Sequence, residues 1–270
     1  MMYNSRALFI WRSLFVIVLM LSLLAPLLAP YDPVEVNLPS VFTPPDSTYL
    51  LGTDHMGRDI FSRLLYGGRV SLTVALLSVL LSTFVGTVYG GISGYFGGWL
   101  DQIMMRLLDA LLAIPTLVII LALQAFVQGG LLSLILIIGL TGWMPVARII
   151  RSQILELKEQ TFVKAAQLVG TPAWKIFIVH LLRNSLSALF VITIFQCASA
   201  IFTEVSLSFL GIGIPPEMPS WGNMLNNAQN DILLGAWWTA LFPGMMIILT
   251  LLSINFIGES LKRKFGYKGG

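Results

Sequence analysis

The side chains of this sequence that could do chemistry fall into three groups. Asp54, His55 and Asp59 stand close together, which invites a metal reading. Transition-metal sites need three or four converging ligands, so a histidine between two acids fits a hydrogen-bonded turn better. Asp54, Arg58, Asp59 and Arg63 alternate in sign and can brace that turn against the helix that follows. The second group is basic: Arg148, Arg151, Lys158, Lys164, Lys175 and Arg183, opposed only by Glu156 and Glu159. A basic break between apolar runs is expected to hold something at a surface. The third group lies within an apolar run. Gln196, Ser199, Thr203 and Ser206 have offsets that put them on one helical face, with Glu204 beside it. An acid at membrane depth is costly and faces a bundle interior or water. Two readings fit the stripe: it lines a path, or it bonds to neighbouring helices. For Glu204 the second fits better. Enzyme chemistry finds no support, because the sequence has no G-x-x-x-x-G-K-[ST] phosphate loop, no H-E-x-x-H and no G-x-S-x-G.

An apolar frame must position these groups. Of 270 residues, 56% are hydrophobic and 11% charged, against about 25% charged in soluble domains. The chain is therefore of the membrane class. Its net charge of +3 is segregated by loop and implies no nucleic-acid partner. The lone Cys197 excludes an internal disulfide and suits packing. Apolar runs predict an all-α protein of six spans at 7–29, 70–91, 104–127, 131–149, 185–210 and 236–257. The first is read as a retained helix, since no small-residue cleavage site follows it. Arg6, Arg12, Arg106, the basic segment and Lys262, Arg263, Lys264 and Lys268 fall on one side, and only Arg58, Arg63 and Arg69 on the other. Both termini are then expected in the cytoplasm. The single membrane domain, 1–270, would carry outer loops at 30–69 and 211–235, a cytoplasmic loop at 150–184 and a cytoplasmic tail at 258–270. Pro115, Pro145 and Pro243 lie inside spans and predict kinks. Gly86 and Gly90 predict close helix packing. Ile194 and Ile201 are expected to face lipid.

Within the cytoplasmic loop, Phe162, Ala165, Ala166 and Val169 fall at helical spacing and form a small apolar face. Gly170 suits the left-handed position that ends a helix. Thr171-Pro172 predicts a restart with Thr171 as N-cap. The alanines present nearly bare backbone, which another protein could approach. An amphipathic helix lying on lipid fits the local pattern equally.

The segment FVKAAQLVGTPAWKIFIVHLLRN at 162–184 resembles the EAA loop of binding-protein-dependent ATP-binding-cassette permeases. The resemblance covers nearly the whole chain. LGTDHMGRDIFSR at 51–63, GGRVSL at 67–72, GYFGGWLD at 94–101, MRLLD at 105–109 with Ile114-Pro115, LSFLGIG at 207–213 and SWG at 220–222 resemble the peptide/nickel permease family in order. That likeness implies a type I importer permease fold in the bacterial cytoplasmic (inner) membrane. It implies a small solute, di- or oligopeptide or nickel complex, delivered by an extracytoplasmic binding protein. A second homologous permease subunit and two cytoplasmic ATPase subunits would complete the assembly. ATP and magnesium would be bound by the ATPases, with no cofactor on this chain. Coupling to the ATPase would rest on Phe162, Lys164, Ala165, Ala166, Gly170 and Trp174. The outer-loop signature would be Gly52, Asp54, Gly57, Arg58 and Asp59, and the path Gln196, Ser199, Thr203 and Glu204. Two departures stand out: Lys164 where the family usually has Glu, and Arg183 where it usually has Pro. The first implies an altered docking surface, and together they tilt the substrate slightly toward metal complexes. The alternative is an ion-coupled secondary transporter, whose inverted repeats are not visible here. A membrane-embedded enzyme lacks a catalytic pair.

Overall fold

The computed structural model describes residues 5–127 and 129–266. The last residues of the expected tail, Lys268 among them, lie outside the described residues. In chain order the helices are α1 (Ser5–Leu23), α2 (Ala25–Leu28), α3 (Ile60–Phe96), α4 (Gly98–Leu112), α5 (Thr116–Phe126), α6 (Leu131–Lys158), α7 (Thr161–Leu168), α8 (Ala173–Lys175), α9 (Arg183–Phe209), α10 (Trp221–Leu233) and α11 (Trp238–Gly266). A π-helical stretch, Ile176–Leu182, joins α8 to α9. Among the described residues there is no strand, only an isolated bridge between Thr53 and Asp59.

Four of these helical stretches are long and apolar enough to cross a membrane: Ile60–Phe96, Leu131–Lys158, Ala173–Phe209 and Trp238–Lys264. α4 and α5 make a fifth only if taken as one broken span, bent by 84°. The span expected at 104–127, with a kink at Pro115, is instead broken there. Pro115 has no N–H to donate and sits in extended geometry at the N-terminus of α5, where it breaks the helix rather than kinking it. α1 contributes a shorter apolar helix, Leu8–Leu23, and the chain turns at Leu24 before α2. It is tied to the bundle by Trp11, whose ring stacks on Phe256 of α11 at 4.6 Å.

Helices run further than the apolar runs suggested. α3 begins at Ile60, inside the expected loop 30–69, because Asp59 caps it: its carboxylate accepts from the Ser62 N–H at 2.7 Å. α6 continues to Lys158, and the next long helix starts at Ala173. The expected loop 150–184 thus shrinks to a turn at 159–172 holding α7. The expected loop 211–235 contains α10, capped by Ser220, whose hydroxyl accepts from Asn223 N–H at 3.1 Å.

The most extensive helix pair is α3 with α6, and glycine makes it possible. A Cβ on Gly86 would lie 2.6 Å from Val146 Cβ, and one on Gly90 would run into the backbone of Ala147. Gly94 continues the row against Arg151 and Ile154. With no side chain on this stripe, the two backbones approach closely, as the Gly86/Gly90 spacing predicts. Around it lie a central core including Val74, Ile120, Leu134, Ile201 and Trp221, and a smaller one joining Val146, Ile150 and Ile154 to Val163, Ala166, Ile176 and Leu181.

Candidate coupling turn and translocation cleft

The end of the bundle that carries the turn 159–172 is built on charge pairs within the chain. Arg151 of α6 grips Asp101 of α4 with two hydrogen bonds, at 2.5 and 2.6 Å. Ser93 of α3 donates to the same carboxylate. Arg148 pairs with Asp109. Lys158 donates to the Tyr95 carbonyl at 2.7 Å, at the C-terminal end of α3 where the helix dipole favours a cation. Lys164 pairs with Glu159 at 2.9 Å, and this contact holds the exposed Glu159 carboxyl below its ordinary range. The basic segment is thus largely engaged internally, against the expectation that its charge serves to hold something. Lys175 and Arg183 have no ion pair among the described residues.

What the turn offers outward is apolar. Val163 and Ala166, one helical turn apart, are the buried face of α7, packed on Ile150, Ile154 and Leu181. Ala166, expected on a partner surface, is therefore turned into its own chain, at 9% exposure. Ala165, Lys164 and Phe162 stay exposed. Beyond them Leu168 is 89%, Val169 81% and Trp174 66% exposed. The helix ends as its glycine predicts. Gly170 has φ +76°, Thr171 N–H reaches the Ala166 carbonyl at 3.0 Å, and Gly170 N–H reaches that of Gln167 at 3.0 Å. This left-handed closure swings the chain back toward the bundle. The restart differs from expectation: Pro172, not Thr171, occupies the N-cap, with no side-chain hydrogen bond.

At the opposite end, residues 52–60 form a tight hairpin. Asp54 N–H donates to the Arg58 carbonyl at 3.1 Å, and the Asp54 side chain accepts from the N–H groups of Met56 and Arg58. Its other oxygen pairs with Arg58 at 2.7 Å and lies 3.6 Å from Arg63, which donates to the Pro33 carbonyl. All three side chains are nearly fully buried. The alternating charges do brace the loop on α3. Gly52 and Gly57 both have positive φ, and at Gly57 a Cβ would collide with the Asn37 carbonyl. His55 turns to Asp231 of α10 at 3.4 Å. Burial raises the Asp231 carboxyl above its ordinary range, His55 opposing. Among the described residues no group of three His, Cys, Asp or Glu side chains is placed to hold a metal ion.

In the polar stripe of α9, Gln196, Thr203 and Ser206 are half-buried and Ser199 is exposed. Gln196, Ser199 and Thr203 line a narrow cleft of about 40 Å³ with Ser78 and Ser82 of α3, Thr116 of α5 and Thr141 of α6. Gln196 donates to the Gly142 carbonyl at 2.7 Å, and Thr203 to Ser199 one turn back. Glu204 does not share this cleft. It is fully buried on the far side, accepts from Ser208 at 2.9 Å and has Ser71 and Ser220 beside it. Of the two residues expected to face lipid, Ile201 is fully buried in the central core and Ile194 only packs against it. The cleft partners Ser78 and Ser82, not among the expected site residues, do carry a sequence signal: two serines at i, i+4 in an apolar helix share one face.

An all-helical bundle of apolar spans, with a polar cleft inside it and an exposed apolar turn at one end, defines a polytopic membrane transport subunit. Residues 86–267 match the model of the binding-protein-dependent transport system inner membrane component, and the chain belongs to that family. It is a permease subunit of a binding-protein-dependent importer of the ATP-binding-cassette class, a multi-pass protein of the bacterial inner membrane and not itself an enzyme. It is 40% identical over 241 residues to a putative peptide permease protein of Brucella suis biovar 1, covering 89% of this chain and 80% of the relative. It is 38% identical over 255 residues to the dipeptide transport system permease protein DppC of Bacillus subtilis, covering 94% and 78%. With the glutathione transport system permease protein GsiD of Pectobacterium atrosepticum the identity is 37% over 218 residues, covering 81% and 72%.

Proposed function

We propose that this permease passes short peptides, delivered by an extracytoplasmic binding protein, through a pathway completed by a second, homologous permease subunit. The relatives' names, which specify peptide, dipeptide and glutathione transport, support peptides over the nickel complexes toward which Lys164 and Arg183 tilt the sequence. The turn 159–172 docks one of two cytoplasmic ATPase subunits, which bind ATP and magnesium. The observation that carries this reading is the exposed apolar set Leu168, Val169 and Trp174, at a bundle end tied by the Arg151–Asp101 pair. A water-facing apolar patch is an interface signature. Phe162, Lys164 and Ala165 border it, while Gly170 shapes it and Ala166 anchors it from behind. The expected six spans, with both termini cytoplasmic, put this turn on the ATPase side. That reading takes α1 with α2 as the first span and broken α4–α5 as the third, and keeps 1–270 as one domain. The hairpin at Gly52–Asp59 then faces the binding protein. Closure of the ATPases moves the turn, and Gln196, Ser199 and Thr203 line the cleft that opens. The test is peptide uptake by the reconstituted four-subunit assembly with its binding protein. ATP-dependent uptake that disappears when Leu168 and Val169 are both made Asp supports the reading. Uptake driven by an ion gradient without ATP would overturn it in favour of a secondary transporter.

A further inference from the structure

Ser22 of α1 is buried, its hydroxyl packed against Gly68 of α3. It lines a groove of about 360 Å³ between α1, α3, α9 and α11, a volume in the range that holds small-molecule ligands, roughly 300–1,000 Å³. The walls are apolar: Phe15 and Leu19 from α1, Leu72 and Leu76 from α3, Ile201 from α9 and Ile254 from α11. One cation also lines it. Arg69 of α3 is exposed and has no ion pair among the described residues, whereas Arg58 and Arg63 at the same end are both held by Asp54. Along α3, Leu76 lies two turns past Arg69, about 10 Å further into the bundle. The groove continues to Cys197 and Ile254, in the middle of α9 and α11.

A cation toward one end and an apolar channel running from it to mid-bundle together match a phosphate joined to a hydrocarbon chain. We propose that this groove binds one phospholipid, with its phosphate on Arg69 and an acyl chain between α1 and α3. A protein helix is about 10–12 Å across with its side chains, too wide for a groove of this volume. A single chain of methylenes fits. The lipid would add to the packing of α1, which already seats Val18 in the central core and stacks Trp11 on Phe256.

The experiment compares the intact importer, purified in mild detergent, with complexes carrying Arg69→Gln or Leu76→Trp. Arg69 and Leu76 are exposed, so both variants should insert. Native mass spectrometry with lipid extraction should show one phospholipid more per complex in the wild type than in either variant, and that lipid should survive mild delipidation. Cys197, the one cysteine of this chain, gives a second readout. Its alkylation by a small apolar maleimide should be slow in the lipid-loaded wild type and at least several-fold faster in Arg69→Gln or after exhaustive delipidation. Equal phospholipid counts in wild type and Arg69→Gln overturn the proposal. So does Cys197 protection that persists after delipidation, which would mean that protein, the second permease subunit included, covers the groove. If Leu76→Trp fails to assemble, the Arg69→Gln comparison and the thiol readout decide alone.

Discussion

The hairpin at 52–60 and the turn at 159–172 are made of the same charged residue types, handled in opposite ways. In the hairpin, Asp54, Arg58 and Arg63 interlock with almost no exposed surface, and the backbone hydrogen-bonds back onto them. At the end that carries the turn only Arg151–Asp101 is largely covered, while Arg148–Asp109 and, in the turn itself, Lys164–Glu159 are paired but more than half exposed. Buried charges are costly to unpair, so such a network holds one geometry. Exposed pairs are weak and screened by salt, so they trim a surface without freezing it. One end of the molecule is built to keep its shape. The other presents apolar side chains on a surface free to adjust to a partner.

The sharpest way to break this contrast is Asp54→Ala. It leaves two buried guanidinium groups without their carboxylate and should cost about 3–5 kcal/mol, read as a fall in the melting temperature of the purified subunit. A loss near zero would place the hairpin on the same footing as the turn. Leu168→Asp should leave melting unchanged yet weaken ATPase co-purification by about 2 kcal/mol or more, the size expected of an apolar anchor at an interface. Undiminished co-purification would remove the turn as the docking surface. Gly170→Val should cost about 1–2 kcal/mol, and only through the backbone, since a Cβ there meets nothing within 4 Å. Gly170→Asn should recover part of the loss, because asparagine tolerates the left-handed region. A smaller effect is expected at Asp231. Its folded-state pKa is raised by burial, so its contribution to stability is present at low pH and is lost as pH rises through the raised value. His55, Asp54 and Arg58 also act on it. Asp231→Asn should flatten the pH dependence of melting above the ordinary carboxylate range, and an unchanged profile would assign that dependence elsewhere. The least effect belongs to Lys164→Glu. It sets two acids together at an exposed site, and melting should not move. The swap Lys164→Glu with Glu159→Lys should restore whatever coupling the single change removes, which a double-mutant cycle checks.

Much of this was legible in the residues because it depends on local chemistry. Gly170 ends α7 in the left-handed region, Gly86 and Gly90 let α6 approach, and the alternating charges at 54–63 brace their loop, each as its type and spacing predict. What escaped depended on neighbours distant in sequence. Nothing local says that Arg151 reaches back to Asp101 or Lys158 to Tyr95, so a segment read as basic is largely neutralised in three dimensions. The phase of α7 depends on distant neighbours in the same way. Phe162 and Val169 read as part of an apolar face, but the core lies on the side of Val163 and Ala166. Helix ends were underestimated because hydropathy falls where charged residues begin, while backbone hydrogen bonding continues through Lys158 and, at the other end, back to Ile60.

The glycine row at Gly86, Gly90 and Gly94 has a mechanical consequence. It removes the compressible layer of side chains that normally cushions one helix from the next, and close-packed interiors transmit strain. α3 and α6 therefore act as one stiff beam. α3 alone, at 37 residues, is about 55 Å long. The beam begins at the charge-locked hairpin, and α6 leads directly into the turn. A push delivered at the turn should then move α6 and α3 together, with the pivot in the irregular joints around them: the break at Pro115 and the π-helical stretch before α9.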